Sequence, residues 1–287
     1  MIAPAGPPPA AELQAGLEVL ARRGYSLRLL LPATPAGYLA GPDDQRLDLL
    51  HQALVDPEVG LVWAARGGYG VMRLLPRLPW AELATARPRT LCGFSDLTAL
   101  LLPAWQRLPG WSCIHGPNVS GLGRLPPAEQ EHLWALLEQG RPPTFAGLRT
   151  LVPGTARGPL LGGNLCLLAA LAGTPYLPPV DGSLLVLEEV GERPYRLDRL
   201  LTQLGLAGWL ERVSGVLLGH FAGCDEGAEQ GVETAARRIA ELLPGVPLLA
   251  GLPVGHQAAN RAWPLGAPYL LDGPAGALVP APASRPC

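Results

Sequence analysis

The sequence contains no lysine: all 22 of its basic side chains are arginine. That absence excludes Schiff-base chemistry, Ser-Lys dyads and a P-loop lysine. The five cysteines (Cys92, Cys113, Cys166, Cys224 and Cys287) show no CxxC spacing, and no Cys/His cluster has the spacing of zinc ligands. An odd, dispersed set reads as reduced thiols in a cytosolic protein. The opening residues, MIAPAGPPPAAEL, lack the basic and apolar regions of a signal peptide. No apolar run approaches the length that spans a bilayer. Charge is scarce too, at 16% of residues, with a net charge of -2, a pI near 6.2 and no block of one sign. Nucleic acid and an anionic membrane are therefore not expected as partners, and the protein is expected to be soluble and cytoplasmic.

What is present is an apolar chain with regular punctuation. The 287 residues are 48% apolar, enough to bury a sizeable core in one large domain or two smaller ones. AAELQAGLEVLARR predicts an amphipathic helix stopped at Gly24, with a short strand in YSLRLLLP. A second helix begins at Asp43 and Asp44. GLVWAA and RTLCGF read as buried strands, each followed by a glycine-bearing turn, and DLTALLLPAWQRL as a helix. This alternation predicts a parallel α/β sheet. From about Arg141 the texture turns rich in Gly and Pro. SLLVLEEV, VSGVLLGHF and PLLAGLPVGH then read as strands separated by two helices, and the tail as a last short strand with a frayed end. The expected organisation is a domain over 1–140, a linker over 141–160 and a second domain over 161–287, with no internal repeat.

Four stretches could carry chemistry. In CGFSDL a strand ends, a glycine frees the backbone and a helix begins. Ser95 is there either an N-cap or the nucleophile of a strand-turn-helix elbow, and Leu97 breaks the GxSxG pattern. RGGYG, residues 66–70, follows a strand. It is either a tight turn or a place where backbone N–H groups approach a reacting oxygen; Arg73 breaks GxGxxG. Glu188 and Glu189 end a buried strand and must point to opposite faces, so at most one serves a given site; a solvated strand end is the plainer reading. His256 sits on a glycine-flanked turn. His51 and His132 fall in helix patterns, whereas His115 and His220 remain rivals that spacing does not eliminate. A Ser nucleophile needs a His base, and the His needs an acid.

The motifs APAGP, DPEVGLVWAARGGYG, CGFSDLTAL, IHGPN, GPLLGGNLCLL, LLVLEEVGERPYRLDRLL and GLPVGH occur in that order over nearly the whole chain. In this the chain resembles the L,D-carboxypeptidases of the Ser-Glu-His type. That group contains muramoyltetrapeptide carboxypeptidases and the microcin C immunity hydrolases. The resemblance implies Ser95 as nucleophile, Glu188 as catalytic acid and His256 as general base. It also implies an oxyanion hole made by the backbone N–H groups of Gly68 and Asp96. The implied fold is α/β, an N-terminal Rossmann-like parallel-sheet domain with a smaller C-terminal β-rich domain, the site lying at their junction. Neither metal nor cofactor is implied, and a homodimer is. Ser95 then reads as both cap and nucleophile.

The expected activity is removal of terminal D-alanine from a murein tetrapeptide, in peptidoglycan recycling. One alternative is an amidase that cleaves a peptide-nucleotide antibiotic, with Trp63 or Trp263 stacking on the base. Another is a non-catalytic binding protein for murein peptides.

Overall fold

The computed structural model describes residues 1–282, a mixture of helices and strands. The first helix, α1 (Ala10–Arg23), ends at Gly24, whose left-handed φ of 86° lets its N–H turn back to the Ala21 carbonyl. α2 (Asp43–Val55) opens with two carboxylates at its positive end. There follow β1 (Leu61–Trp63), α3 (Trp80–Thr85), β2 (Thr90–Gly93), α4 (Thr98–Arg107), β3 (Ser112–His115) and α5 (Pro127–Gln139). β1, β2 and β3 are adjacent and parallel. The strand expected in YSLRLLLP does not form. Leu30 makes one isolated bridge to Ile2, which in turn bridges Ala64. Residues 26–29 are exposed, so the segment lacks the half-buried face that stabilises a strand.

The second half contains β4 (Arg149–Val152), β5 (Thr155–Asn164), α6 (Leu165–Leu171), β6 (Leu184–Val190), α7 (Pro194–Leu206), β7 (Gly215–Ala222), α8 (Gly231–Leu242), β8 (Leu248–Ala250), β9 (Trp263–Pro264), β10 (Pro268–Asp272) and β11 (Ala277–Pro280). Seven of these strands form one sheet in the order β11-β10-β5-β6-β7-β8-β4. β5 to β8 are parallel, and β10 and β4 flank them antiparallel. Residues 141–160, expected as a linker, thus hold β4 and the first part of β5. The glycines there serve strand contacts as well as turns: a Cβ on Gly158 would lie 2.1 Å from the Gly182 carbonyl oxygen. The frayed tail and Cys287 lie outside the described residues.

Two features join the sheets. β9, which comes late in the chain, pairs antiparallel with β3 and completes the first sheet in the order β1-β2-β3-β9. A single apolar core also runs through both halves, with Val62, Leu91 and Leu101 from one and Leu161, Leu187 and Leu217 from the other. Ser95, Glu188 and His256, at or beyond the C-terminal ends of β2, β6 and β8, come together at the strand ends where ligands bind in parallel α/β sheets.

Candidate active site

β2 delivers Ser95 two residues past its end, at the start of a single 3₁₀ turn (Ser95–Leu97) leading into α4. Among the described residues Ser95 alone, glycines aside, has a positive φ, 63°. A side-chain-bearing residue adopts that conformation only where its surroundings impose it. Here Gly93 is the enabling residue, since a Cβ on it would lie 2.9 Å from Leu97 and 3.1 Å from Ala64. The capping role expected of Ser95 does not occur. Phe94 holds the cap position in extended conformation, without a side-chain cap, and the Ser95 hydroxyl turns instead to His256. The Asn118 side chain holds the elbow by accepting the Phe94 N–H at 3.3 Å.

Glu188 and Glu189 are buried, not solvated. They diverge as strand geometry requires. Glu188 Oε2 lies 2.7 Å from His256 Nδ1, and His256 Nε2 lies 3.0 Å from Ser95 Oγ. Glu189 accepts from the Asn164 side chain and from the backbone N–H groups of Val190 and Cys166, at 2.7–2.9 Å. It thereby ties β6 to the start of α6. The pairing of β6 with β7 shifts register at Glu188, because Leu187 faces Leu218 but Glu189 faces Phe221. Such a bulge redirects local side chains. It also places the His220 N–H on the Val254 carbonyl, at 2.8 Å, which docks the loop carrying His256 against β7. Gly255, with φ of 121°, lets that loop pass Glu188, since a Cβ there would lie 2.9 Å from Oε2. Asn260 Oδ1 accepts the Gly255 N–H at 3.0 Å and closes the loop. Asn260 and Asn118 escaped sequence reasoning; each acts through a backbone contact that leaves no spacing signal.

Burial lowers the pKa of His256, but the hydrogen bond and charge of Glu188 outweigh it, so the net shift is upward from 6.5. Burial pushes the Asp96 carboxyl up to about 6, against the Val71 N–H that it accepts at 2.9 Å. That hydrogen bond ties the RGGYG turn to the elbow. The rival histidines do not enter the chain of hydrogen bonds. His115 is buried, stacked on Trp263 with ring centroids 5.1 Å apart, and its pKa falls to about 4 through burial. His220 contributes its backbone, and His51 pairs with Glu82 on the surface.

The RGGYG turn packs directly on Ser95: a Cβ on Gly67 would lie 3.0 Å from its Oγ. Gly68, with φ of 112°, follows it on the wall of a cavity of about 550 Å³. Its N–H donates to no backbone carbonyl among the described residues. A larger cavity of about 680 Å³ lies at the opposite strand ends, around Tyr25, Arg28 and Leu61. Its distance from the Ser-His-Glu chain, and not its size, sets it aside. Among the described residues no group of three or more His, Cys, Asp or Glu is placed to hold a metal ion. Among the described residues no helix is long and apolar enough to cross a membrane.

A serine held in a strained elbow and hydrogen-bonded through histidine to a buried carboxylate defines the class of serine hydrolases. The comparisons resolve the family. The LD-carboxypeptidase N-terminal domain matches residues 1–116 and the LD-carboxypeptidase C-terminal domain residues 157–271. A Streptomyces coelicolor relative is 44% identical over 97% of this chain and 91% of its own length. The murein tetrapeptide carboxypeptidase of Pseudomonas aeruginosa is 41% identical over 82% of this chain and 80% of its own. Among solved structures, a muramoyltetrapeptide carboxypeptidase from Oxalobacter formigenes superposes with a TM-score of 0.86 at 30% identity, covering 96% of this chain and 95% of that one. The microcin C7 self-immunity protein shares the fold, with a TM-score of 0.87 at 21% identity over 99% of this chain and 96% of that one. The chain belongs to the LD-carboxypeptidase family and is a serine-type carboxypeptidase.

Proposed function

We propose that the enzyme hydrolyses the bond before the terminal D-alanine of murein tetrapeptide, as a step of peptidoglycan recycling. The observation that carries the mechanism is the Ser95–His256–Glu188 chain of hydrogen bonds, with Ser95 at positive φ. Ser95 Oγ attacks the carbonyl carbon while its proton passes to His256 Nε2. The N–H groups of Gly68 and Asp96 receive the oxyanion. The C–N bond breaks as His256 returns the proton to the leaving amine, and D-alanine departs. Water then adds to the acyl carbon, giving a proton to His256, and the ester bond to Ser95 breaks as His256 passes that proton to Ser95 Oγ. Glu188 holds the imidazole in the tautomer with hydrogen on Nδ1 and stabilises its charged form.

The murein substrate rests on the names of the relatives at 41% and 30% identity. The intact hydrogen-bonded chain speaks against a non-catalytic binding protein. The amidase reading called for Trp63 or Trp263 at the site, yet both are buried. Trp63 donates its indole N–H to the Pro117 carbonyl, and Trp263 stacks on His115. A cytoplasmic location is supported by Cys92, Cys113, Cys166 and Cys224, all unbridged. The homodimer rests on the family resemblance.

The test is purified protein on murein tetrapeptide, with released alanine read by mass, beside a peptidyl-nucleotide amide. D-alanine is expected from the first substrate alone. The variant Ser95→Ala should lose about four orders of magnitude in kcat while melting at the wild-type temperature. Retention of a tenth of wild-type activity would remove Ser95 from the mechanism, and turnover of the amide alone would transfer the enzyme to the second reading.

A further inference from the structure

A carboxypeptidase must read a free chain end, and the catalytic residues described above contain no group that does so. The carboxylate of a terminal residue lies two bonds beyond the leaving nitrogen, within about 5 Å of the carbonyl carbon under attack. An element that touches Ser95 is close enough to supply the carboxylate's partner. The RGGYG turn is such an element, since Gly67 packs against Ser95 Oγ. The residue before Gly67 is Arg66, an exposed arginine on the wall of the 550 Å³ cavity, beside Gly6, Pro7, Tyr38, Gly68 and Tyr69.

Nearby arginines are already engaged. Arg73 pairs with Asp43, Arg77 pairs with Asp44, and Arg46 is buried against Asp43 and backbone carbonyls. Arg66 reaches no carboxylate among the described residues; one of its nitrogens donates to the Pro7 carbonyl at 2.8 Å, which steadies the side chain and leaves other N–H donors free. Tyr38 and Tyr69 pack edge to face at 5.5 Å, with 67% and 51% of their surfaces exposed. Large aromatic surface left in water beside an unpaired guanidinium fits a ligand-binding wall better than a packing role.

We propose that Arg66, walled by Tyr38 and Tyr69, binds the α-carboxylate of the leaving residue and so restricts the enzyme to chain ends. This rests on the carboxypeptidase reading above. A guanidinium matches a carboxylate in geometry and charge. A chain that continued beyond the scissile bond would place a neutral amide there and leave Arg66 unsatisfied.

The experiment compares murein tetrapeptide with its C-terminal carboxamide on wild type, Arg66→Gln and Arg66→Lys. The wild type should favour the free acid. Arg66→Gln should lose about 10–100-fold in kcat/KM on the acid, mostly through KM, with little loss on the amide, so that the preference collapses. Arg66→Lys should keep part of it. A wild type indifferent to the carboxylate, or an unchanged acid-to-amide ratio in Arg66→Gln, would overturn the assignment while leaving the proposed function standing. Failure of the wild type to release D-alanine from the acid or D-alaninamide from the carboxamide would overturn both.

Discussion

Glu188 and Glu189 show how one peptide bond separates two jobs. Glu188 is a charge partner that lifts the pKa of His256. Glu189, its own pKa raised by burial, is a buried acceptor for three N–H donors. Glu188→Gln should lower kcat by roughly two to four orders of magnitude, because the imidazolium loses its partner in the transition state. It should also move the acid limb of the kcat/KM profile to lower pH. The base must be neutral, its pKa lies above 6.5 while Glu188 is charged, and removing that charge leaves burial to pull it down. Glu189→Gln should leave kcat and the limb nearly in place. It sets an amide NH₂ against backbone donors, so it should lower stability by about 1–3 kcal/mol in a denaturant melt. An acid limb that stays put in Glu188→Gln would remove Glu188 as the partner of the base. Strand alternation made the divergence of the two side chains legible in the sequence. Their burial was not, since a strand end reads the same whether water or another sheet lies beyond it. Residue spacing also left Ser95 open between cap and nucleophile; the family motifs pointed to Ser95, Glu188 and His256.

At the scale of elements, the site is a strand end braced by a turn and a bulge. The strands were legible where they are fully buried: β6 is a run of inward residues from Leu184 to Glu189. The failures have a common cause. YSLRLLLP is apolar enough for a strand but faces solvent, β4 and β5 hide in a Gly- and Pro-rich stretch, and the β7 bulge depends on a partner that local sequence does not name. The turn offers the sharpest test. Gly67 lies outside the positive-φ glycines, so alanine is tolerated by its backbone, yet the new Cβ would stand 2.8 Å from the Ser95 Cβ. Gly67→Ala should displace the nucleophile by tenths of an ångström and lower kcat roughly 10–100-fold with little change in KM. Gly60→Ala, where a Cβ meets nothing within 4 Å, is the control. Equal kcat in the two variants would mean that the turn does not brace Ser95.

At the scale of the whole molecule, the two sheets depend on each other. Ser95 comes from one and Glu188 and His256 from the other. β9 crosses back to pair with β3, and just before it Arg261 makes a two-pronged ion pair with Glu129 of α5, at 2.9 and 2.6 Å. Both partners are largely buried, at 18% and 8% side-chain exposure. Arg261→Met strands the Glu129 carboxylate in a poorly solvated place, and should cost roughly 2–4 kcal/mol, somewhat less than a fully buried pair. Adding Glu129→Leu removes the stranded charge and should recover most of the loss, because an apolar pair of similar size is tolerated where an unpaired charge is not. Because the apolar core is continuous across both sheets, the melt should remain one transition in all three proteins, with loss of activity, far-ultraviolet ellipticity and tryptophan fluorescence coinciding. If Arg261→Met separates the fluorescence transition from loss of activity, the halves unfold independently, and the β9 crossing is a contact between them without being a stitch.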